Sequence, residues 1–145
     1  MSSSSGVLRF LGLMVFSTSV VYGHGYNWKL VFHAVSGNGK SVLHAWNTMS
    51  PAVCTTDSGC LPLKFNLDNW RDNVTHLRSP LIDKWKSLNI VKIRVTFGGQ
   101  GNIFAFLEFD GSGSDKLNWF SKSRLLHSSW SDLKTSNTTY FSIKG

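Results

Sequence analysis

The sequence predicts a small, mainly β domain: antiparallel strands in a sandwich-like arrangement with short helical turns, α+β being the alternative. Three observations predict it. Over residues 91–97, Val91, Ile93, Val95 and Phe97 alternate with Lys92, Arg94 and Thr96, the period of a strand with one buried face. GGQGN (98–102) supplies glycines that take positive φ at no steric cost, and a second apolar run at 103–109 makes the pair a β-hairpin. The other apolar runs are short, separated by long polar stretches, and form no internal repeat. In the hairpin's second strand Phe104, Phe106 and Glu108 share one face, and Ile103, Ala105, Leu107 and Phe109 the other. That strand is expected to be the more buried of the two.

The remaining elements follow from local pattern. Residues 28–35 (WKLVFHAV) read as a first strand, with Trp28, Leu30 and Phe32 on one side and Lys29 and His33 on the other. SGNGK then turns the chain. Ser41 is placed to cap a short helix that puts Val42 and Trp46 four apart on one face, ending by Pro51. Residues 49–80 read as irregular. Ser79-Pro80 resembles a helix start, with Ser79 as N-cap, Pro80 in the first turn, and Leu81, Ile82 and Trp85 on one face. After the hairpin comes the polar loop DGSGSD; residues 118–130 suit one or two helical turns, and residues 138–144 a last short strand. The six tryptophans all lie beyond residue 23, and for each the core is the first expectation.

The N-terminus has the layout of a secretory signal peptide. Arg9 gives a positive n-region, residues 10–21 are mainly apolar, and Val21-Tyr22-Gly23 offers small residues for cleavage after Gly23. The apolar run is shorter than the ~20 residues a bilayer core requires, so no membrane span is expected. Residues 24–145 then form a single extracellular domain, and the expected localisation is secreted. Without Arg9 that domain holds 14 Lys/Arg against 8 Asp/Glu, a net charge of +6. A basic secreted surface is drawn to acidic matrix proteins, sulfated glycans or anionic lipid. Its cations are dispersed, with no basic run, which argues against nucleic acid. Cys54 and Cys60 enclose TTDSG and are expected to form one local disulfide that pins a turn. Asn73-Val74-Thr75 and Asn137-Thr138-Thr139 are glycan acceptor sequons.

Four groups of residues were weighed for chemistry. Asp110-Gly111-Ser112-Gly113-Ser114 has the DxSxS spacing with which von Willebrand factor A domains hold a divalent ion. Only 31 residues remain beyond Ser114 to build that fold, so a polar turn is favoured, with weak Ca²⁺ contact by Asp110 and Asp115 left open. Cleavage after Gly23 would begin the protein at His24, a start that resembles copper-dependent lytic polysaccharide monooxygenases, with His33, His44, His76 and His127 as formal second ligands. Glu108 and Asp110 share a strand face and are a formal acid pair. Trp46, Trp85 or Trp119, if exposed, would give a sugar-stacking platform. No nucleophile elbow, HExxH or phosphate-binding loop is present. No catalytic residue, metal ligand or cofactor is assigned, and no enzyme activity is expected.

Taken together, NWKLVFHAVSGNGKSVLHAW, SPLIDKWKSLNIVKIRVTF, LEFDGSGSDKLNWFSKSRLLHSSWSDL and YFSIKG span most of residues 24–145 in order. They resemble a family of secreted invertebrate proteins, found notably in cnidarians, that includes uncharacterized skeletal organic matrix proteins of corals. The resemblance implies an extracellular matrix component, that of a calcified skeleton included, and implies no reaction. In that family the domain continues into a Gly- and Cys-containing segment, whereas this chain stops at Gly145. The expectation is therefore a secreted, non-enzymatic matrix component whose partners are acidic matrix proteins, mineral-associated matrix or glycans. Its alternatives are a carbohydrate-binding module using exposed Trp and, more remotely, a copper-dependent polysaccharide oxidase.

Overall fold

The computed structural model describes residues 28–34, 38–48, 76–99 and 102–137. The expected signal peptide (1–23), His24, Cys54, Cys60, Asn73 and the expected last strand (138–144) lie outside the described residues. Two antiparallel sheets are built from five strands. Strand β1 (Phe32–His33) pairs with β2 (Leu77–Arg78), and β3 (Lys92–Gly99), β4 (Asn102–Asp110) and β5 (Leu125–Ser128) form a meander with β4 in the middle. The mainly β, antiparallel reading holds. β1 is far shorter than the run 28–35 suggested, and β2 lies in a stretch expected to be irregular.

The hairpin forms as its alternation dictates. Ile93 faces Phe109, Val95 faces Leu107 and Phe97 faces Ala105, an apolar face in which all six side chains are buried. On the reverse face Arg94 opposes Glu108 and Thr96 opposes Phe106. The register slips between Phe97 and Gly98, so that Phe104 is an extra residue on β4, a β-bulge at the glycine end of the hairpin. β4 is the buried strand because it is paired on both edges. Residues 118–130 hold one helical turn, of 3-10 type (Lys122–Arg124), and then β5, which was not expected, with Leu125 buried opposite Phe109. A second slip, between Glu108 and Phe109, leaves Leu126 extra on β5. That bulge erases the period-2 pattern by which so short a strand is recognised.

Helix α1 (Val42–Asn47) is the capped turn expected: Ser41 Oγ accepts the His44 N–H at 3.2 Å, and Trp46 is buried with Val42 packed against the core. It ends at Thr48, whose N–H donates back to the His44 carbonyl, before Pro51 is reached. The segment Pro80–Ser87 is helical but of 3-10 type, kinked at Lys84. Ser79 caps it through Leu81 N–H at 3.2 Å. The tighter winding suits Ile82 and Trp85, which sit three apart on the buried side. Arg78 of β2 locks the two halves together. Its guanidinium, 3% exposed, donates to Asp83 Oδ1 and Oδ2 at 2.6 and 2.8 Å and to the Trp46 carbonyl at 2.6 Å.

Tryptophan organises the core. Trp46, Trp85 and Trp119 lie within about 6 Å of one another, with centroid separations of 5.9, 5.8 and 6.1 Å, and Phe32 and Phe109 pack edge-on against Trp46 and Trp119. Two of the three indole N–H groups are bonded from the polar loop after β4: Trp46 Nε1 donates to the Lys116 carbonyl at 2.9 Å, and Trp85 Nε1 to Ser114 Oγ at 3.0 Å. The DGSGSD loop is thereby a fixed part of the core's edge.

Candidate functional site

A concavity of about 390 Å³ opens where the 3-10 segment meets the loop after β4. Its size sits at the small end of the range for small-molecule clefts, about 300–1,000 Å³. The edge of Trp85 and Ile90 supply its apolar part. Gly111 and Gly113 belong to the loop that lines it. Gly111 is pressed so close to Ile90 that an added Cβ would lie 2.6 Å from Ile90 Cγ2, and Gly113 holds φ +63°. Lys86 and Asn89 line it from one side, Ser114 and Asp115 from the other. Asn89 is left-handed at φ +47°, a conformation asparagine tolerates better than most residues. Asp115 Oδ1 accepts the N–H groups of Leu117 and Asn118 at 2.8 and 2.9 Å, which holds the carboxyl below its ordinary range, with Lys86 and Arg124 adding attraction.

The loop's DxSxS residues do not converge on an ion. Asp110 Oδ1 accepts the Ser112 N–H at 2.9 Å, which lowers its pKa, while Ser114 is buried under Trp85. Arg124 Nη1 donates to the carbonyls of Asp110 and Ser112 at 3.2 and 3.0 Å, closing the turn from outside. Among the described residues, no group of three or more His, Cys, Asp or Glu side chains is placed to hold a metal.

Glu108 and Asp110 are not brought to a common point either. Glu108 Oε1 takes Arg94 Nε and Nη2 at 3.0 and 2.5 Å, and Arg94 in turn lies over the rings of Trp28 (4.6 Å) and Phe106 (5.5 Å). Of the histidines proposed beside His24, the structure brings His33 and His76 together in the interior. His76 stacks on Phe32 at 6.5 Å and its Nε2 lies 3.2 Å from the Lys40 carbonyl. Burial, with the nearby His76 second, pushes His33 down to about 4. His44 is exposed on α1 and His127 is exposed on β5.

The tryptophans require a correction. Trp46, Trp85 and Trp119 are 1%, 4% and 1% exposed, so none can serve as a stacking platform. They are buried because they pack on one another and on Phe32 and Phe109 at the centre of the core. Among the described tryptophans, Trp130, packed edge-on against Phe97 at 5.4 Å, is the one exposed at the surface. Asn137 is exposed, as a glycan acceptor must be. Lys86 and Asn89 were missed by sequence reasoning, and Ser114 was read only as part of the DxSxS loop. The one available signal was an Asn between the helical segment and β3, a residue type prone to left-handed backbone.

Charge is unevenly spent. Asp83 and Glu108 are bound by arginine, and Asp110 and Asp115 turn onto backbone N–H groups. Asp132 is exposed, as are Lys29, Lys40, Lys84, Lys86 and Lys134. Among the described residues no helix is long and apolar enough to cross a membrane. No family model, curated protein or solved structure matches the chain.

Proposed function

We propose that this protein is a secreted, non-enzymatic component of an extracellular matrix, one that adsorbs to polyanionic matrix or glycan through spread positive charge. The observation that carries the reading is the use of the acids. Four of the acidic side chains are engaged within the fold, while five lysines stand in solvent, so the outward field is positive although the chain carries both signs. The N-terminal signal-peptide pattern, the exposed Asn137 sequon and the resemblance to secreted cnidarian proteins, skeletal organic matrix proteins of corals among them, support the same reading.

Such binding is electrostatic and screenable. Retention on immobilised heparin or on an acidic matrix protein should fall away as salt shortens the screening length from ~10 Å at 0.1 M to ~3 Å at 1 M. Paired replacement of Lys84 and Lys134 by Gln should shift elution to lower salt. Retention that ignores salt would overturn the proposal. Mass spectrometry of protein recovered from its native tissue tests the rest: it should begin at His24, carry glycan on Asn137 and come from an extracellular deposit.

A further inference from the structure

The concavity between the 3-10 segment and the loop after β4 has a composition that distributed charge does not explain. It holds one cation, Lys86, and one carboxylate, Asp115, facing a left-handed Asn89 across a floor made partly of Trp85 and Ile90. The Asp115 carboxylate is fixed, because Oδ1 is anchored on the N–H groups of Leu117 and Asn118. Lys86 and Asn89 are exposed residues whose polar ends add donors, and the amide adds an acceptor.

We propose that this concavity is a binding site for a single uncharged sugar unit, held at its hydroxyl groups by Asp115, Asn89 and Lys86 over the apolar edge formed by Trp85 and Ile90. Three features select that ligand class. The cation and carboxylate balance one another, which favours a neutral polyol over an anion. A carboxylate, an amide and an ammonium side by side offer acceptor and donor to neighbouring hydroxyls, each of which both gives and takes a hydrogen bond. The volume, about 390 Å³, suits one ring and not a chain. Trp119 lies nearly parallel to Trp85 at 24°, and Trp85 is only 4% exposed, so the indole contributes an edge and the sugar is held chiefly by hydrogen bonds. Gly111 lets the loop close onto Ile90, where a Cβ would lie 2.6 Å from Ile90 Cγ2, and Gly113 turns the loop at φ +63°.

The site does not rest on the matrix reading, and uncharged probes separate the two. Methyl glycosides of glucose, galactose, mannose and N-acetylglucosamine are titrated into protein spanning residues 24–145, by saturation-transfer NMR, in 0.1 M and 1 M NaCl. At least one is expected to bind saturably, with a dissociation constant of about 1 mM, unchanged by the salt. Asn89→Gly keeps the positive φ and removes the amide; Lys86→Gln removes an exposed charge. Both variants keep the fold, and each is expected to weaken binding about tenfold. Trp130→Ala, at the surface ring, should leave it unchanged. The proposal is overturned if no glycoside binds, if binding survives intact in both site variants, if 1 M salt abolishes it, or if Trp130→Ala alone removes it.

Discussion

Acidification should weaken this fold through His33, and by an amount that the structure sets. His33 lies in β1 opposite Leu77 and is 3% exposed, with its pKa pushed down to about 4 by burial and by His76. In the unfolded chain a histidine titrates near 6.5. Between those values the unfolded state binds the proton and the folded state resists it, so stability drops as pH falls from about 6.5 to about 4 and levels off below. The gap is roughly 2.5 pH steps at about 1.4 kcal/mol each, and at pH 4, where the folded histidine is half protonated, the loss is about 3 kcal/mol. The assay is urea unfolding across that pH range for the native sequence and for His33→Leu. The other titratable side chains are common to both proteins, so the difference between the curves reports on His33. The native protein should lose about 3 kcal/mol more than the variant between pH 7 and pH 4. Parallel curves would refute the reasoning.

Arg78→Ala should destabilise by about 1–3 kcal/mol, because it removes the two charge-assisted bonds to Asp83 and the Arg78 donor to the Trp46 carbonyl; denaturant midpoints check it, and a cost below about 1 kcal/mol would show the pair to be solvated. Ser114→Ala removes the acceptor of the buried Trp85 N–H and should cost about 1–3 kcal/mol, against a negligible effect for Ser112→Ala on the same loop. Gly111→Ala drives a Cβ to 2.6 Å from Ile90 Cγ2 and 3.1 Å from its carbonyl oxygen, and should cost about 1–3 kcal/mol in thermal unfolding; an unchanged melting temperature would mean that Ile90 moves freely.

The hairpin was legible because its signal is redundant: alternation in β3, glycines at the turn and an apolar return strand all agree. Ser41 and Ser79 were legible as caps for the same reason, since each precedes an apolar residue that must face inward. β1, β2 and β5 were not. Two-residue strands such as Phe32–His33 and Leu77–Arg78 have no period to read, and both faces of each are buried, so polar His33 and Arg78 contradict the pattern that finds strands. In β5 the bulge at Leu126 hides the alternation. The candidate site was less legible still. Lys86, Asn89 and Asp115 come from segments that meet only in three dimensions, and the Ser114 partner of the Trp85 N–H has no local sequence signal. Sequence marked the tryptophans as core residues, which Trp46, Trp85 and Trp119 are, but not which of them would meet.

The clustering of Trp46, Trp85 and Trp119 gives the protein an optical signature of its own. Indoles about 6 Å apart share their electronic excitations, so light absorbed by one is delocalised over the trio and the native state should show a split circular-dichroism band that the separated rings of the unfolded chain lose. Unfolding, acid titration and the variants above can therefore be followed without any label.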